Sequence, residues 1–263
     1  MRKTLLGLAA LVCGAALATA QGPAKPDPVA AGASAAELRK HLDAWEKQMK
    51  GLRSLHAEVS RLDTNRVFRT SAKTKGYALY SKVGGDKGPV FHLASLELRT
   101  EGKADLAEKI VSTGTHIYQW VPTAKEIHQH PVPPAKAGAV SDDNFMGLAF
   151  GMKAEAALKR YDLSLHKTDE HWIYVHIKPR TAEDKAEFEL AQLVLSRKTY
   201  LPGQLWFKAA NGNEVTWDLP RLKANPDLDR RYFDAPKAPA GWKIVPAPKP
   251  GAAKPIVRPS SGK

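Results

Sequence analysis

Hydrophobic residues change their spacing after the first helical stretch of this chain, and the change marks its architecture. Leu38, Leu42, Trp45, Met49 and Leu52 follow at intervals of four, three, four and three. That period places one apolar stripe on a helix. Arg39, Lys40, Asp43, Lys47 and Lys50 occupy the other face. Ser34-Ala35-Ala36-Glu37 reads as a capping box at its start, and Gly51 marks its end. From there the period is two. Leu55, Ala57 and Val59 alternate with His56, Glu58 and Ser60, and Tyr77, Leu79 and Ser81 with Ala78, Tyr80 and Lys82. These are half-buried strands.

Further strands are predicted at 91–98, 109–112, 116–121 and 126–130, with Gly84-Gly85-Asp86 and Gly114 as turns. Pro131 to Ala139 breaks the series. A short helical insertion follows, with Ser141 or Asp142 as cap, then a helix over Ala154–Arg160. Strands resume at 163–166, 172–178, 190–196, 204–208 and 214–219. Asn211-Gly212 is a tight-turn signal between the last two. The earlier hairpin has only Asp169-Glu170 to turn on. The pattern predicts one antiparallel meander, with a helix before it and helices inserted midway. Such a sheet closes into a barrel or half-barrel. The predicted class is α+β: an incomplete antiparallel β-barrel with an N-terminal helix and an inserted helical lid.

The first twenty residues stand apart. Arg2 and Lys3, an apolar run from Leu5 to Leu17, and Ala18-Thr19-Ala20 form a charged, an apolar and a cleavage region. That is a signal peptide, cleaved near Ala20. It implies export to the periplasm or cell envelope. Cys13, the only cysteine, lies within it, so the remaining chain can form neither a disulfide nor a thiolate site. Residues 21–33 are rich in Pro, Ala and Gly and read as a linker, and 34–246 as the folded domain. Residues 247–263 form a Pro/Ala/Lys-rich basic tail.

The formal charge of +13 falls to +11 without Arg2 and Lys3. Six bases and no acid lie between Ala235 and Lys263. The body alternates signs, without the basic stripe of a nucleic-acid protein. The tail suits peripheral contact with an anionic envelope surface, or simple solubility. From Pro236 onward seven prolines and no strand pattern predict an extended end.

The chain has no G-x-S-x-G, P-loop, G-x-G-x-x-G or H-E-x-x-H motif. His128 and His130 share a strand face and invite a metal, but no third ligand lies beside them. Glu183, Asp184 and Glu187 fall in a polar connection, where solvated acids are the rule. No enzyme, metal or cofactor is expected. Apolar chemistry is more prominent. Phe145, Met146, Leu148, Phe150 and Met152 crowd the helical insertion. Flexible methionine and rigid phenylalanine suit a surface that repacks around apolar ligands. The same residues would equally serve to close the barrel's core.

In this order the segments resemble the periplasmic lipoprotein carriers of the LolA/LolB type. Four stretches carry the likeness: the first helix running into Ser54–Val59; Ile110–Trp120 around its turn; Asp143–Leu148 at the place of the lid helix; and the end from Leu201 through Asn211–Glu214 to Leu228–Pro236 and Gly241-Trp242. The chain also looks like exported planctomycete proteins with this domain. The resemblance implies a half-barrel wrapped over helices, covering a cavity that holds lipid or lipoprotein acyl chains. An envelope protein would donate or accept that cargo. It implies Phe145, Met146 and Leu148 as lid residues; Phe150, Met152, Ile117 and Trp120 are further candidates. The family's arginine-proline lid latch is replaced by Lys82–Pro89, where Lys82 or Lys87 would substitute without arginine's planar fork. The leading expectation is a monomeric, exported, non-enzymatic carrier. The alternative is an envelope interaction protein with a filled barrel and a surface-binding tail.

Overall fold

The computed structural model describes residues 35–85, 89–132 and 154–246. The signal segment, the linker, the Phe145–Met152 insertion and the tail beyond Pro246 lie outside the described residues.

The helical stripe forms α1, Ala35–Lys50, and buries Leu38, Leu42 and Trp45. Six strands follow: β1 Ser54–Asn65, β2 Thr70–Gly84, β3 Val90–Thr100, β4 Leu106–Ser112, β5 His116–Val121 and β6 Glu126–Pro131. After α2, Ala154–Arg160, come β7 Tyr161–Thr168 and β8 Trp172–Pro179. Then α3, Ala182–Glu187, leads into β9 Phe188–Ser196, β10 Pro202–Ala209 and β11 Glu214–Ala224. A 3-10 turn at Arg230–Phe233 and a last strand, β12 Lys243–Pro246, complete the described chain.

All twelve strands lie in one sheet, in the order β12-β6-β5-β4-β3-β2-β1-β11-β10-β9-β8-β7. The class is α+β and the sheet is open, not a closed barrel. Two meanders, β1–β6 and β7–β11, join where β1 pairs with β11. Every pairing is antiparallel except β12 on β6.

The turn signals act as read. Gly114 (φ 87°) and Gly212 (φ 81°) take left-handed conformations that cost other residues more. Asp169 turns its hairpin without glycine: its Oδ1 accepts from the amides of His171 (2.9 Å) and Trp172 (2.8 Å). Burial pushes its carboxyl up, but these two bonds, with Tyr174 and Lys167, together outweigh it and hold the group below the usual range.

Two expectations are corrected. Lys243–Pro246 is a strand, although proline-rich surroundings predicted none. It pairs in parallel with Glu126–Gln129, a partner too remote to leave a local pattern. Asp184 is not a solvated acid: it is 1% exposed and bound by Arg160 and Thr181.

α1 and α2 lie on the β7–β10 half of one sheet face. Leu38, Leu42, Trp45, Ala154 and Ala157 pack there with Leu165, Ile173, Val175, Ile177, Leu193 and Leu205. Trp45 is fully buried, as its place in the stripe predicts. On the opposite face, Phe233 packs on Leu79 and Leu93. The segment from β11 to β12 thus straps the β2–β6 half.

Candidate functional site

Strand alternation and register decide which residues share the helix-bearing face. In register across the sheet, Leu55 faces Tyr80, Tyr80 faces Ala94, Ala94 faces Ser112, Ser112 faces Ile117, and Ile117 faces His130. A second row runs Ala57, Ala78, Leu96, Ile110, Gln119, His128. Leu55 and Ala57 belong to the core cluster beside α1, and Ala78, Tyr80 and Leu96 pack against it part-buried. Further out, Ala94 and Ile117 are exposed and Ile110 is half-buried. The face carrying the two helices therefore continues beyond them as a surface of small and apolar side chains.

Ser112 and Gln119 interrupt it, and further polar groups flank it. The Tyr80 hydroxyl and His92 Nδ1 are 2.7 Å apart, with stacked rings. Burial pushes the Tyr80 hydroxyl up to about 12. Burial, and then the charge of Lys82, holds His92 below the ordinary imidazole value. A neutral His92 accepting the Tyr80 proton satisfies both groups. On β6, His128 Nε2 lies 2.8 Å from Glu126 Oε2, and Lys243 of β12 is 3.0 Å from Glu126 Oε1. His128 and His130 share the face, with ring centroids 6.5 Å apart. Among the described residues, no three His, Cys, Asp or Glu side chains group as metal ligands.

Ile117 and Trp120 are three positions apart on β5, so alternation sends them to opposite faces. Ile117 lies on the apolar face, 37% exposed. Trp120 lies on the strapped face, with Lys109 Nζ 5.2 Å from its ring centroid. Phe145, Met146, Leu148, Phe150 and Met152 lie outside the described residues, as does Lys87; Lys82 is exposed in β2. Sequence reading passed over Ala78, Tyr80, Ala94, Leu96 and Ile110. The register linking them to Leu55 and Ala57 was the missing signal.

The other face carries two polar features. His166 and His176 stack at 4.1 Å, and His176 Nε2 lies 3.1 Å from Gln192 Oε1. Desolvation, then His166, lowers the His176 pKa, as a buried imidazole requires. A cleft of about 300 Å³ opens between the strap and β5, floored by Leu93, Tyr118 and Phe233 and rimmed by Thr113, His116 and Arg230.

Among the described residues, no helix is long and apolar enough to cross a membrane.

No family model matches the chain, and no curated protein matches it. Solved structures do. An uncharacterised conserved protein from Thermus thermophilus is 11% identical with a TM-score of 0.47, over 80% of this chain and 99% of that one. A putative outer membrane lipoprotein-sorting protein domain from Vibrio parahaemolyticus is 10% identical at 0.41, over 74% and 95%. A LolA superfamily protein from Nitrosomonas europaea is 9% identical at 0.35, over 75% and 97%.

Proposed function

We propose that this chain is an exported, non-enzymatic binding protein that holds an acyl chain, or a ligand of the same apolar kind, against the helix-bearing face of its sheet. The observation that carries the proposal is the continuation of that face beyond α1 and α2 as Ala78, Ala94, Leu96, Ile110 and Ile117. Small side chains leave room for a ligand, and the branched ones give it apolar contact. The resemblance of the sequence to the LolA/LolB carriers supports the same reading. A lipoprotein acyl chain is the specific cargo it suggests, and Phe145, Met146, Leu148, Phe150 and Met152 are the residues proposed to cover it.

The physical case is simple. Each methylene removed from water contributes about 0.8 kcal/mol, so an acyl chain in an aqueous compartment needs a shield. No bond is made or broken. Release requires only a second state, or an acceptor, that binds the lipid differently.

Native mass spectrometry of the chain from Gln21, with lipid extraction of the same sample, tests this. A co-purifying acyl species is expected, and Ile117→Glu or Leu96→Glu should remove it. Trp120→Ala, on the opposite face, should not. A clean apo mass with no uptake of added lipid would overturn the reading and favour an envelope interaction protein.

A further inference from the structure

The most exposed large hydrophobic side chains among the described residues are neighbours: Val67 at 73% and Phe68 at 75%. They form the tip of the β1–β2 hairpin, whose ladder runs unbroken to the pair Asn65 and Thr70. Val and Phe are poor turn residues, whereas the β10–β11 turn beside this tip uses Asn211-Gly212. Arg69 closes the tip at φ 52°, a conformation in which Gly or Asn is usual. Local turn stability does not account for Arg66-Val67-Phe68-Arg69.

The tip is fastened at its base. Asn65 Oδ1 accepts from the Phe68 amide (3.0 Å), and Asn213 Oδ1 from the Arg66 amide (3.2 Å). The Arg66 guanidinium pairs with Glu214. On β2, Thr70 to Lys73 are all exposed. An apolar pair is thus presented to solvent on an anchored hairpin.

The charges around it are mainly positive. Lys73 and Lys75 share Glu101. Arg69 has no acidic partner among the described residues; nor has Lys103 in the β3–β4 turn, which adjoins β2 at Lys73. Asp105 is the remaining acid of that turn. Two apolar side chains beside an unpaired arginine match an anionic bilayer, whose apolar boundary lies directly beneath its phosphates. They fit a protein partner poorly, since a stable interface buries about 800 Å² on each side.

We propose that the 66–69 tip is a membrane-docking element: Val67 and Phe68 enter the acyl boundary of an anionic bilayer while Arg69 remains among its phosphates. The proposal rests on this hairpin alone and stands whether or not the opposite region of the sheet holds a ligand.

Co-sedimentation of the chain from Gln21 with phosphatidylglycerol/phosphatidylethanolamine vesicles, against phosphatidylcholine vesicles, tests it. Binding to the anionic vesicles is expected. Val67→Ser with Phe68→Ser should weaken it at least tenfold without altering the melting curve. Arg69→Gly should weaken it less and flatten its salt dependence. Phe68→Cys in that cysteine-free chain, labelled with a polarity-sensitive fluorophore, should shift to the blue on the same vesicles and be quenched by tail-borne quenchers. Absence of vesicle binding would overturn the proposal. So would a label that stays in water while Lys249→Ser with Lys254→Ser and Arg258→Ser abolishes binding, which would assign the contact to the tail. An elution volume that depends on Phe68 without vesicles would instead assign the tip to a second copy of the chain.

Discussion

Arg160 grips Asp184 through two bonds, Nη2 to Oδ1 at 2.6 Å and Nε to Oδ2 at 3.1 Å. The pair ties the last turn of α2 to α3 and so fixes the helix that leads into β7. Thr181 completes the site: its hydroxyl donates to Asp184 Oδ2 (2.8 Å) and accepts from the Asp184 amide (3.0 Å). The Arg160 hydrogen bond is the main cause that holds the carboxyl below its ordinary value, against desolvation. Removing the carboxylate leaves a guanidinium mostly screened from water. Asp184→Ala should therefore cost about 3 kcal/mol in urea unfolding at pH 7.

The same pair predicts a pH dependence. The folded-state pKa of Asp184 lies below its unfolded value of about 3.9, so the folded chain releases the proton more readily. Its contribution is complete above that value and is lost as pH falls through the lowered one. Asp184→Asn should be less stable than the parent at pH 7 and pH 5, and the gap should close below about pH 4. Denaturation midpoints across that range read it directly. A gap that stays constant to pH 2 would mean the pair contributes through packing alone.

Trp45 separates packing from hydrogen bonding. It is fully buried among the residues that join α1 to β7–β10, yet its indole N–H has no acceptor among the described residues. Trp45→Ala should cost about 3–5 kcal/mol through the cavity it leaves. Trp45→Phe keeps an aromatic ring and removes the orphaned donor, so it should cost much less, within about 1.5 kcal/mol. Chemical denaturation of the two variants makes the comparison.

What the sequence disclosed follows the range over which each signal acts. The stripe from Leu38 to Leu52, the Asn211-Gly212 turn and the Asp169-Glu170 turn are encoded within a few residues, and each is where the pattern put it. Face assignment needs register. Alternation alone separates Ile117 from Trp120, but only the pairing of four further strands shows that Ile117 shares a surface with Leu55 and Ala57. Asp184 looked solvated because Glu183, Lys185 and Glu187 surround it, and its partner lies 24 residues upstream. β12 is encoded by its fit to β6 and not by its own composition. The residues expected to cover the apolar face lie outside the described part of the chain.

Gly203 shows a constraint that no periodicity carries. A Cβ added there would lie 2.2 Å from Trp172 Cζ3 and 2.6 Å from Cη2, so the indole occupies the space a side chain would need. Trp172 opens β8, one strand away from β10 across β9. Gly203→Ala should force the ring aside at a cost of about 1–3 kcal/mol. Combining it with Trp172→Leu should recover part of that loss. A double-mutant cycle in urea that returned strict additivity would show that the two positions do not meet.

The strap over the other face supplies the last prediction. Phe233 is 4% exposed and packs on Leu79 and Leu93, between the end of β11 and the start of β12. Its turn is capped by Asp229, which accepts from the Arg231 amide at 2.9 Å. β12 is four residues long and holds the sheet edge through one parallel ladder with β6. So short a strand cannot keep its place by backbone bonds alone, and the Phe233 anchor shortens the span it must close. Phe233→Ala should lower stability by about 3 kcal/mol or more. It should also raise amide exchange in Ile244 and Val245, and in Glu126 to Gln129, before any other strand. Protection lost evenly across the sheet would mean that Phe233 supports the whole core and that β12 does not depend on it.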